Sequence, residues 1–328
     1  MPAMEYRKLG TSGLRISAVG LGCNPFGNEV DPPTAKAIVN RAIELGVTYF
    51  DTADGYFDGR SEDYLGQALE GRRHDVCVAT KFGNRVGQRP NDAGASRKHI
   101  MDACEASLRR LRTDWIDVYQ VHTPDRETPI EETMRALDDL VRQGKVRYIG
   151  CSNFFEWEVV EALWVADRHH LTPFVSCQDF YNVLYRDIEK RFEPMCRHFG
   201  LAMIPYFPLA GALLSGAFQR SAAPAPGSRA AIRPSFKAWD TDRNWTVQER
   251  LLEFAQAHGW TLPQLSIAWL LTRPMMATVI AGADAPDHIA ANVKALEVKF
   301  TPDDLADIDR LTLVEEDRTQ APIFRRRG

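Results

Sequence analysis

Eight short apolar runs alternate with longer amphipathic segments along most of the chain. Each run is apolar almost throughout rather than at every second position, which is typical of parallel strands covered on both faces. The predicted strands span residues 18–22, 48–53, 76–81, 118–122, 148–153, 175–180, 201–207 and 278–283. Before them, residues 5–17 contain a turn signal between Gly10 and Gly13 and predict a short N-terminal hairpin.

The amphipathic segments repeat their apolar positions with the period of a helix. In residues 34–45, for example, Ile38 and Ala42 share one face, Thr34 is a candidate N-cap and Gly46 follows the end. Pro194 is expected to kink or divide one of these helices. The predicted helices span residues 34–45, 96–111, 130–143, 156–169, 187–199, 247–258, 263–272, 286–296 and 302–311.

This alternation predicts an α/β fold with a parallel sheet and helical crossovers. A doubly wound sheet and a (β/α)8 TIM barrel both fit it. The barrel is favoured because there are eight strands in short, similar units, and because 328 residues suit one barrel with insertions. The dinucleotide fingerprint is absent, since Gly20 and Gly22 are followed by Pro25 instead of a third glycine. We therefore expect residues 1–328 to form a single barrel domain.

A long loop is predicted between strands seven and eight. Residues 219–245 are expected to form a mobile loop, and five of residues 220–244 are basic against two acidic ones. This loop is either a solvated connection or a lid whose positive charge covers an anionic ligand. The tail, residues 313–328, either closes the pocket or extends into solvent.

Composition and charge narrow the class of partner. The 40 Lys and Arg residues against 44 Asp and Glu give a net charge of −4, so no basic field favours nucleic acid. Six scattered cysteines and the lack of a signal peptide favour the cytoplasm. Residues 201–219 carry no charge, but Pro205 and Pro208 would break a membrane-spanning helix. The eight histidines form no ligand cluster, so no metal site is expected.

Polar side chains occur where the predicted strands end. In a (β/α)8 barrel the carboxyl ends of the strands meet on one face and form the active site. One strand-end Asp or Lys alone is most often a helix cap or a solvated charge, but a converging set indicates a site. The set consists of Asp51, Lys81, His122, Ser152, Asn153, Gln178 and Tyr206.

Ordered motifs around these residues resemble the aldo-keto reductases over nearly the whole chain. The segment from Asp51 to Tyr56 is similar to the DTA-x-x-Y segment of that family. The motifs ATKFG, YQVHTPD, GKVRYIGCSN, QDFYN and YFPL follow in the family's order. The resemblance implies a (β/α)8 barrel that binds a nicotinamide cofactor without a Rossmann domain.

The resemblance also implies a catalytic tetrad of Asp51, Tyr56, Lys81 and His122. Carbonyl reduction needs a proton on oxygen, and a free phenol is a poor acid at neutral pH. We expect the Lys81 ammonium to lower the pKa of Tyr56, Asp51 to keep Lys81 charged, and His122 to orient the carbonyl. The implied reaction interconverts aldehydes or ketones and alcohols by hydride transfer, with Tyr56 as proton donor. A Schiff-base reaction at Lys81 is the alternative chemistry for a strand-end lysine.

The family's cofactor contacts carry over onto further positions. NADPH is the family default, and NADH is a serious alternative because residues 280–292 contain no Lys or Arg. Asp284 either accepts a ribose hydroxyl and repels a 2′-phosphate or caps the helix that follows it, and His288 stands where the family usually has a basic residue. The implied cofactor-binding residues are Gly22, Cys23, Asn24, Asp51, Ser152, Asn153, Gln178, Tyr206, Pro208, Leu209, Gly211, Leu213, Gly216, Gly282, Ala283, Asp284, His288 and Asn292.

Two functions remain open on the sequence alone. The first is a reductase of small carbonyl compounds, with no nucleic acid or membrane partner. The second is a cofactor-binding regulatory or sensor subunit, because the resembled family includes channel-associated subunits that retain the tetrad. The sequence predicts neither the physiological substrate nor the oligomeric state.

Overall fold

Apolar strands that are buried on both faces build the centre of the molecule. The computed structural model describes residues 2–220 and 239–313. A hairpin of β1 (Tyr6–Lys8) and β2 (Arg15–Ser17) precedes a parallel sheet. The sheet contains β3 (Val19–Gly22), β4 (Tyr49–Asp51), β5 (Cys77–Phe82), β6 (Ile116–Val121), β7 (Val146–Ser152), β8 (Phe174–Phe180), β9 (Ala202–Tyr206) and β10 (Val279–Gly282).

The sheet curls into a nearly closed barrel. Strands β3 to β9 are neighbours in chain order, and β10 pairs with β3. On the other side, the Met203 amide donates to the carbonyl of Met275 at 2.9 Å, and the Ala277 amide donates to Met203 at 3.2 Å. The hairpin covers the amino-terminal end, where Leu9 and Ile16 pack with the side chains inside the barrel. The (β/α)8 barrel and the N-terminal hairpin are therefore confirmed.

Helices connect the strands and cover the outside of the barrel. They are α1 (Pro32–Glu44), α2 (Arg60–Ala68), α3 (Arg97–Leu111), α4 (Ile130–Arg142), α5 (Glu156–His169), α6 (Phe192–Phe199), α7 (Asp242–Ala257), α8 (Leu262–Leu271), α9 (Pro286–Val293) and α10 (Pro302–Thr312). Short 3-10 turns lie at Arg73–Asp75, Asp187–Lys190, Ala210–Ser215 and Lys294–Glu297. The apolar faces of the helices form one continuous core with the outer faces of the strands.

Several predicted boundaries were wrong for identifiable reasons. Helix α1 begins before Thr34, because Asp31 is its N-cap and accepts from the Thr34 amide at 2.9 Å. As expected, residues 187–199 do not form one continuous helix, but the break lies at Arg191, and Pro194 lies in the first turn of α6, where proline is tolerated. Helix α2 was not predicted.

The predicted loop of residues 219–245 is shorter at its carboxyl end. Helix α7 begins at Asp242, capped by Thr241, and Trp245 on it is buried. Trp239 is also buried and stacks on Phe180 with a centroid distance of 5.1 Å. Residues 221–238 of that loop and residues 314–328 of the predicted tail lie outside the described residues.

The charge-free residues 201–219 contain β9 and a 3-10 turn rather than one long helix. Among the residues that the structure describes, none of the helices has the length and apolar character needed to cross a membrane.

Candidate active site

A cavity of about 1220 Å³ opens at the carboxyl ends of the barrel strands. Sixteen of the predicted site residues line it: Gly22, Asn24, Asp51, Tyr56, His122, Ser152, Asn153, Gln178, Tyr206, Pro208, Leu209, Gly211, Gly282, Asp284, His288 and Asn292. Lys81 lies behind this wall and is completely buried. Cys23, Leu213, Gly216 and Ala283 are not part of the wall, and the side chains of Cys23, Leu213 and Ala283 are buried elsewhere.

Lys81 and Asp51 form a buried ion pair beneath the cavity. Neighbouring strands β4 and β5 present them from their carboxyl ends, and Lys81 Nζ lies 2.5 Å from Asp51 Oδ1. Lys81 also donates to the carbonyl of Thr52 at 2.8 Å. Burial by itself would lower the pKa of Lys81, but the Asp51 carboxylate and the Tyr56 phenol raise it overall. The lysine is therefore held as an ammonium.

Two glutamine amides fix the other oxygen of Asp51. Gln178 Nε2 donates to Asp51 Oδ2 at 2.8 Å, and Gln120 Nε2 donates to the same oxygen at 3.3 Å. Gln120 was missed by the sequence analysis. It lies on β6 two positions before His122, which directly follows that strand, so continued strand alternation would have placed both on the barrel interior.

Tyr56 lies between the buried ammonium and the cavity. Lys81 Nζ is 5.2 Å from the centre of its ring, and the His122 ring meets it edge-on at 5.7 Å. Burial raises the pKa of Tyr56 above its ordinary value, and this effect outweighs the lowering by Lys81. The expected net lowering of the phenol pKa is thus not found, and the group stays protonated at neutral pH.

His122 is neutral, and one of its nitrogens is held by Asn84. Burial, assisted by the charge of Lys81, lowers the pKa of His122 to about 3. Asn84 Oδ1 accepts from the Thr123 hydroxyl at 3.1 Å, so Asn84 Nδ2 faces His122 Nδ1, also at 3.1 Å. Nδ1 therefore accepts, and Nε2 carries the proton. Asn84, in the loop after β5, was not predicted.

Asn153 connects three parts of the wall. It adopts a left-handed backbone conformation with φ 62°, which asparagine tolerates better than most residues. Its Nδ2 donates to the carbonyl of His122 at 2.8 Å, and its Oδ1 accepts from the Tyr206 hydroxyl at 2.7 Å. The predicted residues Asn153 and Tyr206 thus position His122 and each other.

The opposite end of the cavity offers one unpaired donor and a tight turn suited to a dinucleotide. Asn292 lines the wall, and its buried Nδ2 has no hydrogen-bond partner in the described part of the chain. Gly211 has φ 64°, and a Cβ there would lie 2.8 Å from Trp239 Nε1, so only glycine fits this position. Ribose hydroxyls, phosphates and a carboxamide are ligands that such groups bind. The Asn292 amide and the turn at Gly211 therefore fit a dinucleotide.

Asp284 and His288 form a pair at this end of the cavity. His288 Nδ1 lies 2.6 Å from Asp284 Oδ1, and both side chains are exposed on the wall. The Asp284 carboxylate would therefore neutralise any positive charge on His288, so this pair does not provide a net positive charge for a phosphate group.

Asp54 is a buried carboxyl near the ion pair. It is 2 % exposed, and neither of its carboxyl oxygens has a hydrogen-bond partner among the described residues. Burial and the nearby Glu62 carboxylate raise the pKa of Asp54 to about 8. Unfolded aspartate titrates near pH 4, so between about pH 4 and 8 the folded chain binds the extra proton.

The contribution of Asp54 to the free energy of unfolding is therefore expected to fall as pH rises through that window, and Asp54→Asn should remove this contribution. We expect the variant to be more stable than the parent by about 3–5 kcal/mol at pH 8.5, with the gain shrinking toward pH 5. Urea unfolding at both pH values measures it. Asp58→Asn, an exposed carboxyl four residues along, is the matched control. Parallel pH profiles of Asp54→Asn and the parent would contradict the assignment.

Comparison with known proteins identifies the family. The model of the Aldo/keto reductase family matches residues 18–312. The chain is 37 % identical to a protein of Oryza sativa subsp. japonica named probable voltage-gated potassium channel subunit beta, over 97 % of this chain and 99 % of that one. It is 34 % identical to versiconal hemiacetal acetate reductase of Aspergillus parasiticus, over 92 % and 95 % of the two chains. The chain therefore belongs to the aldo/keto reductase family, whose members in general are NAD(P)H-dependent oxidoreductases.

Proposed function

We propose that the protein is an NAD(P)H-dependent oxidoreductase that interconverts aldehydes or ketones and alcohols. The observation that carries this proposal is the buried Asp51–Lys81 pair behind Tyr56, with neutral His122 facing the same cavity. Such an array supplies one proton donor and one hydrogen-bond donor to a single oxygen atom. The reductase among its relatives supports the same chemistry.

Each residue of the array has a distinct part in the reaction. His122 Nε2–H donates a hydrogen bond to the carbonyl oxygen and orients it toward Tyr56. A nicotinamide cofactor, when bound, would supply the hydride for the carbonyl carbon. The Tyr56 hydroxyl gives its proton to the oxygen as negative charge develops there, and the Lys81 ammonium stabilises the phenolate that remains. Asp51, fixed by two glutamines, keeps Lys81 in place and charged.

The cavity would hold the dinucleotide along its length. Beside the tetrad, Ser152 and the Gln178 side-chain carbonyl would contact the carboxamide, and Tyr206 would contact the nicotinamide ring. The turn at Ala210–Ser215 would offer backbone amides to the pyrophosphate. NADPH stays the first candidate as the family default, and NADH is the alternative, since Asp284 opposes a 2′-phosphate.

Removing the Asp284 carboxylate is expected to shift cofactor preference toward NADPH. Asp284→Asn relieves repulsion of a 2′-phosphate and weakens one acceptor for a ribose hydroxyl, so the ratio of the NADH Kd to the NADPH Kd should rise about tenfold. Isothermal titration of both reduced cofactors measures the ratio. Asp287→Asn is the control, because this exposed carboxyl lies only three residues along, in the first turn of α9, but outside the cavity wall. If the ratio of the two Kd values is unchanged in Asp284→Asn, Asp284 does not contribute to the choice of cofactor.

A regulatory subunit is the second candidate function. Two relatives, from Oryza sativa and Arabidopsis thaliana, are named as probable voltage-gated potassium channel beta subunits, and the latter is 36 % identical over 90 % of this chain. Steady-state turnover of a panel of aldehydes and ketones separates the two functions. Rapid turnover supports the reductase, whereas tight cofactor binding without turnover of any carbonyl supports the regulatory subunit. The buried, unpaired thiols fit a reducing compartment such as the cytoplasm for either function.

A further inference from the structure

Two arginines line the cavity on the side of His122 and Tyr56. Arg85 belongs to the loop after β5, directly after Asn84, whose amide contacts His122. This loop lies close to Tyr56, because a Cβ at the neighbouring Gly55 would be 3.6 Å from Asn84 Cβ. Arg126 belongs to the loop after β6. The dinucleotide end of the cavity, with Asp284 and His288, is formed by a different strand and helix.

Arg85 is a cation without a carboxylate partner within the residues that the structure describes. Its Nη1 donates to the carbonyls of Gly87 at 3.3 Å and Arg89 at 3.1 Å, which are neutral acceptors. These bonds hold the guanidinium group against its own loop. Its Nε and Nη2 have no partner in the described part of the chain and can donate to a ligand.

Arg126 has a partner, but that partner is outside the cavity wall. Its Nε lies 2.9 Å from Glu158 Oε1, and the Glu158 side chain is only 6 % exposed. Glu158 also caps helix α5 by accepting from the Phe155 amide at 2.7 Å. The cavity thus meets the guanidinium rather than the carboxylate. Arg126 also lies over the Phe155 ring at 5.2 Å, and Phe155 lines the wall.

The other titratable groups on the described cavity wall leave the positive charge of Arg85 uncompensated. Asp51 is neutralised by Lys81, and His122 carries no charge at neutral pH. The other acidic residue on the described cavity wall is Asp284, at the dinucleotide end. An anionic group near Arg85 would therefore gain electrostatic energy without displacing an existing carboxylate.

We propose that the substrate is an aldehyde or ketone that carries a carboxylate at the end remote from its carbonyl group, bound through Arg85 with Arg126 beside it. This inference rests on the proposed reductase function. Phe155 and Pro124 supply apolar surface for the carbon skeleton between the two groups. The carbonyl end is held by His122 and Tyr56, and the carboxylate end by the arginines.

A matched pair of aldehydes tests the inference. We compare kcat/KM for 4-carboxybenzaldehyde with that for its neutral methyl ester, so that the preference is the ratio of the two values. Arg85→Met is expected to reduce this ratio about tenfold, and Arg85→Lys should restore part of it. The preference of the parent should also weaken as the salt concentration rises. Arg89→Met is the control, since Arg89 lies on the same loop, is exposed, pairs with Asp92 and does not line the cavity.

The outcomes separate this inference from the reductase function. If both aldehydes are reduced and Arg85→Met leaves their ratio unchanged, the carboxylate site is wrong and the reductase stands. If Arg89→Met lowers the ratio as much as Arg85→Met, the preference comes from the general positive charge of the loop, and the specific carboxylate site is wrong. If neither aldehyde is reduced, the panel of carbonyl compounds decides the reductase function, and calorimetric titration of terephthalate tests the carboxylate site separately. Tighter binding by the parent than by Arg85→Met supports the site, and equal binding overturns it.

Discussion

Tyr56→Phe is expected to lower kcat/KM for aldehyde reduction by about 10²–10⁴-fold, the range that a general acid contributes. When hydride adds to the carbonyl carbon, negative charge develops on the carbonyl oxygen, which then needs a proton. Tyr56 is the acid that faces both Lys81 and the cavity. His122 does not replace it, because its pKa of about 3 leaves a neutral imidazole that would have to become an anion. Single-turnover rates with a reactive aldehyde measure the loss at the chemical step.

The control for this variant is Tyr64→Phe, which removes the same atom from helix α2, away from the cavity wall. Its turnover should equal that of the parent. Calorimetric titration should give similar cofactor Kd values for Tyr56→Phe and the parent, because the phenol acts on the substrate oxygen. Full activity in Tyr56→Phe would overturn the assignment of the proton donor, and a lost cofactor affinity would make Tyr56 a binding residue instead.

The strands were predictable because most are apolar over nearly their whole length, and several carry a polar residue at or next to the carboxyl end. A strand that is buried on both faces is a continuous apolar run, which is easier to recognise than apolar residues at alternate positions. The order of the strands in the barrel then follows from their order in the chain. Helix α2 could not be predicted, because its buried face is not apolar throughout. Its inner face carries Glu62, which is fully buried because Arg110 Nε and the Thr80 hydroxyl donate to it at 2.6 and 2.5 Å. A buried carboxylate interrupts the apolar period on which helix prediction depends.

The cavity residues also fall into those that the sequence could locate, at strand ends, and those that it could not, in a loop. Those at strand ends, such as Asp51 and Gln178, could be located because the ends of parallel strands share one face. Gln120 was accessible to the same logic through its spacing from His122. Asn84 and Arg85 were not, because they follow β5 in a loop whose path depends on its own hydrogen bonds, including Gly94 N to Gly83 O at 2.9 Å. Loop conformation of this kind leaves no period in the sequence.

Lys81→Met is expected to lower the free energy of unfolding by about 3–5 kcal/mol at pH 7, besides abolishing turnover. Lys81 is fully buried and Asp51 is 2 % exposed, so the variant leaves a carboxylate in a site from which water is excluded. Two glutamine amides remain as its donors, but they carry no charge to offset the desolvation of the anion. Urea unfolding of the cofactor-free protein gives the energy directly.

A double-mutant cycle shows whether the ion pair itself carries this energy. Asp51→Asn removes the other charge, and the double variant Asp51→Asn/Lys81→Met should be more stable than the sum of the single changes predicts, by about 2 kcal/mol or more. Lys145→Met is the matched control, since Lys145 pairs with Glu105 at the surface and should cost at most about 1 kcal/mol. Additive energies in the buried cycle would mean that Lys81 stabilises the fold through packing alone. A coupling of the expected size would instead show that the residues proposed for proton transfer also hold β4 against β5, since Asp51 and Lys81 lie on these paired strands.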